Sequence, residues 1–283
     1  MTVNVDVFKV FTSSPDEGNS AGVIAYNGET TEEMLDLAKC SGTSITVFVH
    51  ISKDQAEAAS LRYFSHEKEL AFCGHGTLAA GAFLMNKLQK NALQVTYGSA
   101  SRLEISKSSD GSIYFRTQRG ETLELIPDKN EVASMLGVQP DYISMEAPFC
   151  VGTIGSPKLM VPFRTPKEVD QIIRDDEKIK KWSEDHKVNG VYAYSFMGGE
   201  SESSTPVQIY ARGFNPLFGI AEDAATGVAA GALGDILART GSAASFIFHQ
   251  GKHVNAASEI RIEIKPQYVE IGGQAVFLGP KRC

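Results

Sequence analysis

Cys73-Gly74-His75-Gly76-Thr77-Leu78-Ala79-Ala80-Gly81-Ala82 decides the fold, because the chain repeats it as Asp223-Ala224-Ala225-Thr226-Gly227-Val228-Ala229-Ala230-Gly231-Ala232. The second copy lies 150 residues on (73 to 223, 79 to 229), and upstream Arg62 and Phe64 return as Arg212 and Phe214. A long repeat that occurs only twice implies two related halves, not a solenoid. In each copy a strand-like run leads through a turn into a helix of small residues. Each half therefore offers a helix N-terminus, where unpaired backbone N–H groups can hold an anion. Two such ends facing each other would hold a small carboxylic acid, with its site in the cleft between the halves.

Outward from the repeat, the 283 residues divide into an N-terminal half, 1–118, and a C-terminal half, 119–274, with the final strand 275–283 crossing back to the first. The polar stretch Gln118 to Glu131 marks the boundary. Strands are expected at Val5–Phe11, Ile45–His50, Ser60–Phe64, Leu93–Tyr97, Arg102–Lys107 and Ser112–Thr117, with a helix from about Gly76 to Leu88. Thr30-Thr31-Glu32-Glu33 has the capping-box pattern of another helix start. The second half repeats the plan: one helix over Lys167–Lys181, strands at Val191–Phe196 and Val207–Phe214, and the matching helix Thr226–Arg239. Strands at Phe246–His249, Glu259–Ile264 and Tyr268–Phe277 follow. The fold class is mixed α/β, two pseudo-symmetric halves, each a curved mixed sheet around a central helix.

A net charge of −7 and a pI near 5.5 argue against a nucleic-acid partner, which needs a basic footprint. No run of about 18 apolar residues exists, so no membrane span is expected. Residues 1–11 lack the layout of a signal peptide, and Cys40, Cys73, Cys150 and Cys283 are expected as reduced thiols of a cytoplasmic protein. Their spacing, and that of the histidines, suits no metal.

Gly18-Asn19-Ser20-Ala21, Phe72-Cys73-Gly74-His75-Gly76-Thr77-Leu78-Ala79 and Glu222-Asp223-Ala224-Ala225-Thr226-Gly227 resemble the three signature stretches of the PhzF-like (phenazine biosynthesis) proteins. Gly155-Ser156-Pro157-Lys158-Leu159 and Gln250-Gly251 add weaker agreement, and the resemblance spans essentially the whole chain. It implies a fold similar to diaminopimelate epimerase and proline racemase, with a cofactor-independent active site between the halves. It also implies a homodimer. The founding member shifts a proton on dihydro-hydroxyanthranilate.

Several residues depart from the family pattern. Where the resemblance implies a general acid/base Glu, this chain has Ile45, in Thr43-Ser44-Ile45-Thr46. An isoleucine moves no proton. Val228 stands for the usual Ser, Ala224 for a Pro, and Asn255-Ala256-Ala257-Ser258 for Gly-Arg-Pro-Ser. His75, Asp223, Asn19 and Glu69 match.

The candidate catalytic residues are therefore His75, Asp223 and Cys73. An imidazole exchanges protons near neutral pH; the alternative for His75 is a cap or core histidine. Asp223 can orient substrate or take a proton, or simply cap the helix behind it. A thiol at a helix N-terminus can serve as an acid/base, and Cys73 is placed like a proline-racemase base; otherwise it is a packing residue. The second racemase cysteine, which would fall near Ala224, is missing. Asn19, Ser44, Ile45, Gly74, Gly76, Thr77, Thr226 and Gly227 are the candidate substrate-binding residues. Arg62 and Arg212 read as solvent-facing or ion-paired.

The first functional reading is an isomerase-like protein that moves a proton, or epimerises a centre, on a small carboxylate without a cofactor. The second is a catalytically silent relative that binds an acidic metabolite or serves as a dimeric scaffold, which Ile45 and Val228 support. A third is a one-cysteine epimerase.

Overall fold

The chain divides into two units, Met1–Arg116 with Gly272–Cys283, and Thr117–Ile271. The computed structural model describes residues 3–26, 28–52, 57–198, 206–241 and 243–283.

In the first unit β1 (Asn4–Val10) and β2 (Asn19–Ala25) pair antiparallel. Helix α1 (Thr31–Ser41) follows, started by the expected capping box between Thr30 and Glu33. β3 (Ile45–Ile51) then lies parallel to β2, and β4 (Ala59–Phe64) antiparallel to β3. The short β5 (Glu69–Leu70) pairs back on β4, and helix α2 (Gly74–Leu88) carries the chain to β6 (Ala92–Tyr97), parallel to β4. β7 (Ser101–Lys107) and β8 (Ile113–Gln118) continue antiparallel.

The second unit runs through β9 (Glu121–Leu123), α3 (Lys129–Leu136), β10 (Cys150–Thr153) and β11 (Lys158–Pro162). After α4 (Pro166–Asp170) and α5 (Asp176–His186), β12 (Val191–Phe196) lies parallel to β11. β13 (Val207–Asn215) is antiparallel to β12 and carries the short β14 (Ile220–Asp223). Helix α6 (Gly227–Thr240) leads to β15 (Ser245–Gln250), parallel to β13, and then come β16 (Ser258–Ile264) and β17 (Tyr268–Gly273). Last, β18 (Ala275–Arg282) belongs to the first unit, where it pairs antiparallel with β1. The series β1-β2-β3-β4-β6-β7 and β10-β11-β12-β13-β15-β16 share one pattern: antiparallel, parallel, antiparallel, parallel, antiparallel.

The Ala/Gly helices explain how each sheet closes on its core. A Cβ on Gly81 of α2 would come within 2.9 Å of Ile105 Cγ2, and one on Gly231 of α6 within 2.6 Å of Ile271 Cδ1. Helix and sheet touch where only a hydrogen fits, and Leu78, Ala79, Ala80, Ala229, Ala230 and Leu233 are buried at the contact.

The repeated arginines hold the turns before these helices. Arg62 lies over Phe64, 5.2 Å from the ring centre, and grips Glu69 through two bonds of 2.7 Å. Arg212 lies over Phe214 at 5.1 Å and grips Glu222 at 3.0 and 2.8 Å. Both are ion-paired, but Arg212 is almost wholly buried.

Three expectations need correction. The single helix expected over 167–181 is two, because Arg212 donates to Val169 O and Ile172 O, satisfying carbonyls at the end of α4, and Asp175 caps a new helix. The single strand expected over Tyr268–Phe277 breaks at Gln274, whose carbonyl accepts from Phe11 N and Thr12 N. The four cysteines are not all free: Cys40, at the end of α1, and Cys283, after β18, form a disulfide with Cα atoms 5.7 Å apart. The return of β18 to β1 brings together two residues 243 apart in sequence.

Candidate active site

At the start of α2, Cys73 is the N-cap, with extended backbone (φ −148°, ψ 115°) and no side-chain cap. The helix leaves the N–H groups of Gly74, His75 and Gly76 without an intrahelical acceptor. Thr77 is committed inward: its N–H and hydroxyl both donate to Cys73 O, and the hydroxyl also meets Tyr63 at 2.8 Å.

His75 lies between two partners. Nδ1 is 3.2 Å from Cys73 Sγ, and Nε2 is 3.3 Å from Ser44 Oγ. Ser44 Oγ also lies 2.6 Å from Ser20 O and 3.1 Å from Asn19 Oδ1, both of which can only accept. Serine has one proton to give. Spent on either oxygen, it leaves Oγ to accept Nε2–H of His75, and the Nδ1 lone pair then faces the thiol. Proton bookkeeping thus assigns the tautomer that can take a proton from Cys73. Burial pushes the imidazole down to about 4, so at neutral pH His75 is uncharged.

Ile45, the first residue of β3, is buried, with its Cγ2 3.5 Å from where a Cβ on Gly76 would sit. It is an apolar floor beneath the turn that carries His75. A concavity of about 760 Å³ opens elsewhere in this unit, among Phe83, Lys87 and Phe277.

In the second unit Asp223 ends β14. Its carboxylate accepts from Thr226 Oγ1 at 3.0 Å and from Ala225 N at 3.4 Å, so it does brace the turn into α6. Burial raises its pKa, opposed by the Thr226 hydroxyl, backbone N–H groups and the charge of Lys158. Thr226 N is taken by Gln250 Oε1, and Gln250 Nε2 donates to Asp223 O and Thr226 Oγ1. The open donors of this helix are those of Gly227, Val228 and Ala229.

The structure brings Cys73, His75, Ser44 and Asn19 together in one unit and Asp223, Thr226 and Gly227 in the other. Gln250 and Lys158, quoted only as motif residues from the sequence, prove to be polar supports buried behind Asp223. Among the described residues no group of three or more His, Cys, Asp or Glu could hold a metal ion, and no helix is long and apolar enough to cross a membrane.

A duplicated mixed sheet, each copy closed on a small-residue helix, defines an epimerase-like class of α/β fold. The chain belongs to the PhzC-PhzF family of phenazine biosynthesis-like proteins, whose sequence profile matches residues 8–279. It is 27% identical over 275 residues to the uncharacterized isomerase YfhB of Bacillus subtilis, covering 94% of this chain and 90% of that one. The fold is shared with the PhzF-family protein of Bacillus anthracis, at a TM-score of 0.84 and 21% identity, over 100% of this chain and 99% of that one. A hydroxyproline epimerase from Agrobacterium vitis, solved with bound trans-4-hydroxy-L-proline, matches at a TM-score of 0.59 and 9% identity, over 99% of this chain and 92% of that one.

Proposed function

We propose that this PhzF-family protein is a cofactor-independent isomerase that shifts a proton, or inverts a centre, beside the carboxylate of a small acid. The observation that carries this reading is the 3.2 Å approach of Cys73 Sγ to His75 Nδ1 at an uncapped helix N-terminus. The open N–H groups of Gly74, His75 and Gly76 suit the substrate carboxylate. Its negative charge would raise the pKa of the desolvated imidazole, so that His75 could receive the thiol proton when substrate is present. The Cys73 thiolate then removes the proton next to the carboxylate, and the resulting carbanion is reprotonated at the same or another carbon. Asp223 is a further proposed catalytic residue, and a homodimer the proposed assembly.

Ile45 and Val228 favour a second reading, a silent binder of an acidic metabolite, because Ile45 stands where the family resemblance implies the acid/base carboxylate. Solvent exchange separates the two. An isomerase incorporates deuterium into at least one member of a panel of small amino and hydroxy acids in D2O, whereas a binder incorporates none. On dihydro-hydroxyanthranilate the absent carboxylate should cost about 10²–10⁴ in rate relative to a Glu-bearing family member.

A further inference from the structure

Asp170, the last residue of α4, gathers three donors on one carboxylate. Tyr210 Oη donates to its Oδ1 at 2.5 Å, and His253 Nε2 donates to the same oxygen at 2.7 Å. Lys252 Nζ reaches Oδ2 at 2.8 Å while lying 5.8 Å over the Tyr210 ring. Burial works to raise the Asp170 pKa, but the hydrogen bonds from Lys252, Tyr210 and His253 hold it well below the usual carboxylate range.

Lys252 and His253 belong to the loop between β15 and β16, which the pairing of Gln250 with Ser258 closes. The same loop touches the Asp223 turn. Gln250 Oε1 accepts from Thr226 N at 3.1 Å, and its Nε2 donates to Asp223 O and Thr226 Oγ1 at 2.8 and 2.9 Å. At Gly251, in left-handed backbone (φ +86°), a Cβ would stand 2.6 Å from Ala224 O and 2.2 Å from Ala256 O. Consecutive residues therefore grip two neighbours: 250 and 251 hold the turn into α6, and 252 and 253 hold α4. The end of α4 has a second tie to the same strand, because Arg212 donates to Val169 O and Ile172 O and grips Glu222, the residue before Asp223.

We propose that Asp170 is a positioning residue: it clasps the 251–257 loop to α4 and, through Gln250, fixes the turn that carries Asp223 and Thr226. Its effect is local. Lys252 is 65% and Asp170 33% exposed, and ion pairs this open to water add little to global stability. What three convergent bonds supply is direction, since they hold Gln250 where it can accept the Thr226 N–H. The bearing of the clasp on turnover rests on the function proposed above; the clasp itself does not.

The test is native-state amide hydrogen exchange of the full chain, which needs no substrate. In Asp170→Asn the Thr226 amide should exchange at least about tenfold faster, the factor that one hydrogen bond to a charged group is worth. The Ile264 amide, bonded to Ala244 O at the far end of the same hairpin, should keep its wild-type rate. Lys252→Met with His253→Gln removes the clasp from the loop side, should give the same rise, and decides the matter if Asp170→Asn fails to fold. Combined with Asp170→Asn it should add little, because both changes break one network. An unmoved Thr226 amide in either folded variant, equal acceleration at Ile264, or additive effects would overturn the proposal. A faster Thr226 amide in a protein that incorporates deuterium into no acid would sink the isomerase reading and leave the clasp standing.

Discussion

Ile45 lies directly beneath Gly76, with its Cγ2 3.5 Å from the place a Cβ would take. Val47 Cγ2 is closer still, at 2.8 Å, and Tyr63 Cδ1 stands at 3.2 Å. The turn that presents His75 therefore rests on a packed apolar floor with no room for a methyl group. Gly76→Ala should lower stability by about 1–3 kcal/mol, as overpacking does, read as an earlier urea midpoint at unchanged slope. Wild-type stability in this variant would show that the floor yields.

His75 gives the protein a pH signature. Its imidazole titrates at about 4 in the folded chain against 6.5 as its ordinary value. Between those values the unfolded chain holds the extra proton, so stability rises with pH across that window. The contribution is complete above about 6.5 and lost as pH falls towards 4, and is on the order of 3 kcal/mol. Urea unfolding at pH 4.5 and pH 7 should show a smaller difference for His75→Gln than for the wild type. Equal differences would mean that the ring is not desolvated.

Asp235 is a buried ionic centre in the second unit. Its side chain has no exposure, and it binds Arg119, Arg239 and, at 2.8 Å, the N–H of Gly120. Asp235→Ala strips these donors of their shared acceptor. The two guanidinium groups are 30% and 42% exposed and can turn to water, so the cost should fall at the lower end for a broken buried pair, about 3 kcal/mol. Chemical denaturation reads this directly, and a loss below about 1 kcal/mol, the range of surface pairs, would contradict it.

The small-residue helices and their strands were legible because the constraint is local: glycine and alanine at helix positions that touch a sheet recur in both copies. The break between α4 and α5 was not, since its cause is Arg212, some forty residues downstream, reaching back to Val169 O and Ile172 O. Nor was the Cys40–Cys283 bond, which depends on where β18 returns. Cys73 and His75 were both visible, but their contact was not: residues two apart do not face each other on a helix. They meet because Cys73 is still extended at the N-cap. Lys158 at the start of a strand gave no sign of burial. Its place follows from the acceptors Asn189 O and Asn215 Oδ1, both far downstream in sequence.

The account rests most heavily on Cys73 and His75 working as one acid/base. The direct measurement is deuterium incorporation from D2O into small amino and hydroxy acids by the wild type, Cys73→Ser and His75→Gln, each first shown to be folded. The account predicts exchange at the carbon beside the carboxylate of at least one acid, falling about 10²–10⁴-fold in either variant. Exchange that survives Cys73→Ser unchanged, or none with the wild type on any acid that it binds, would contradict it.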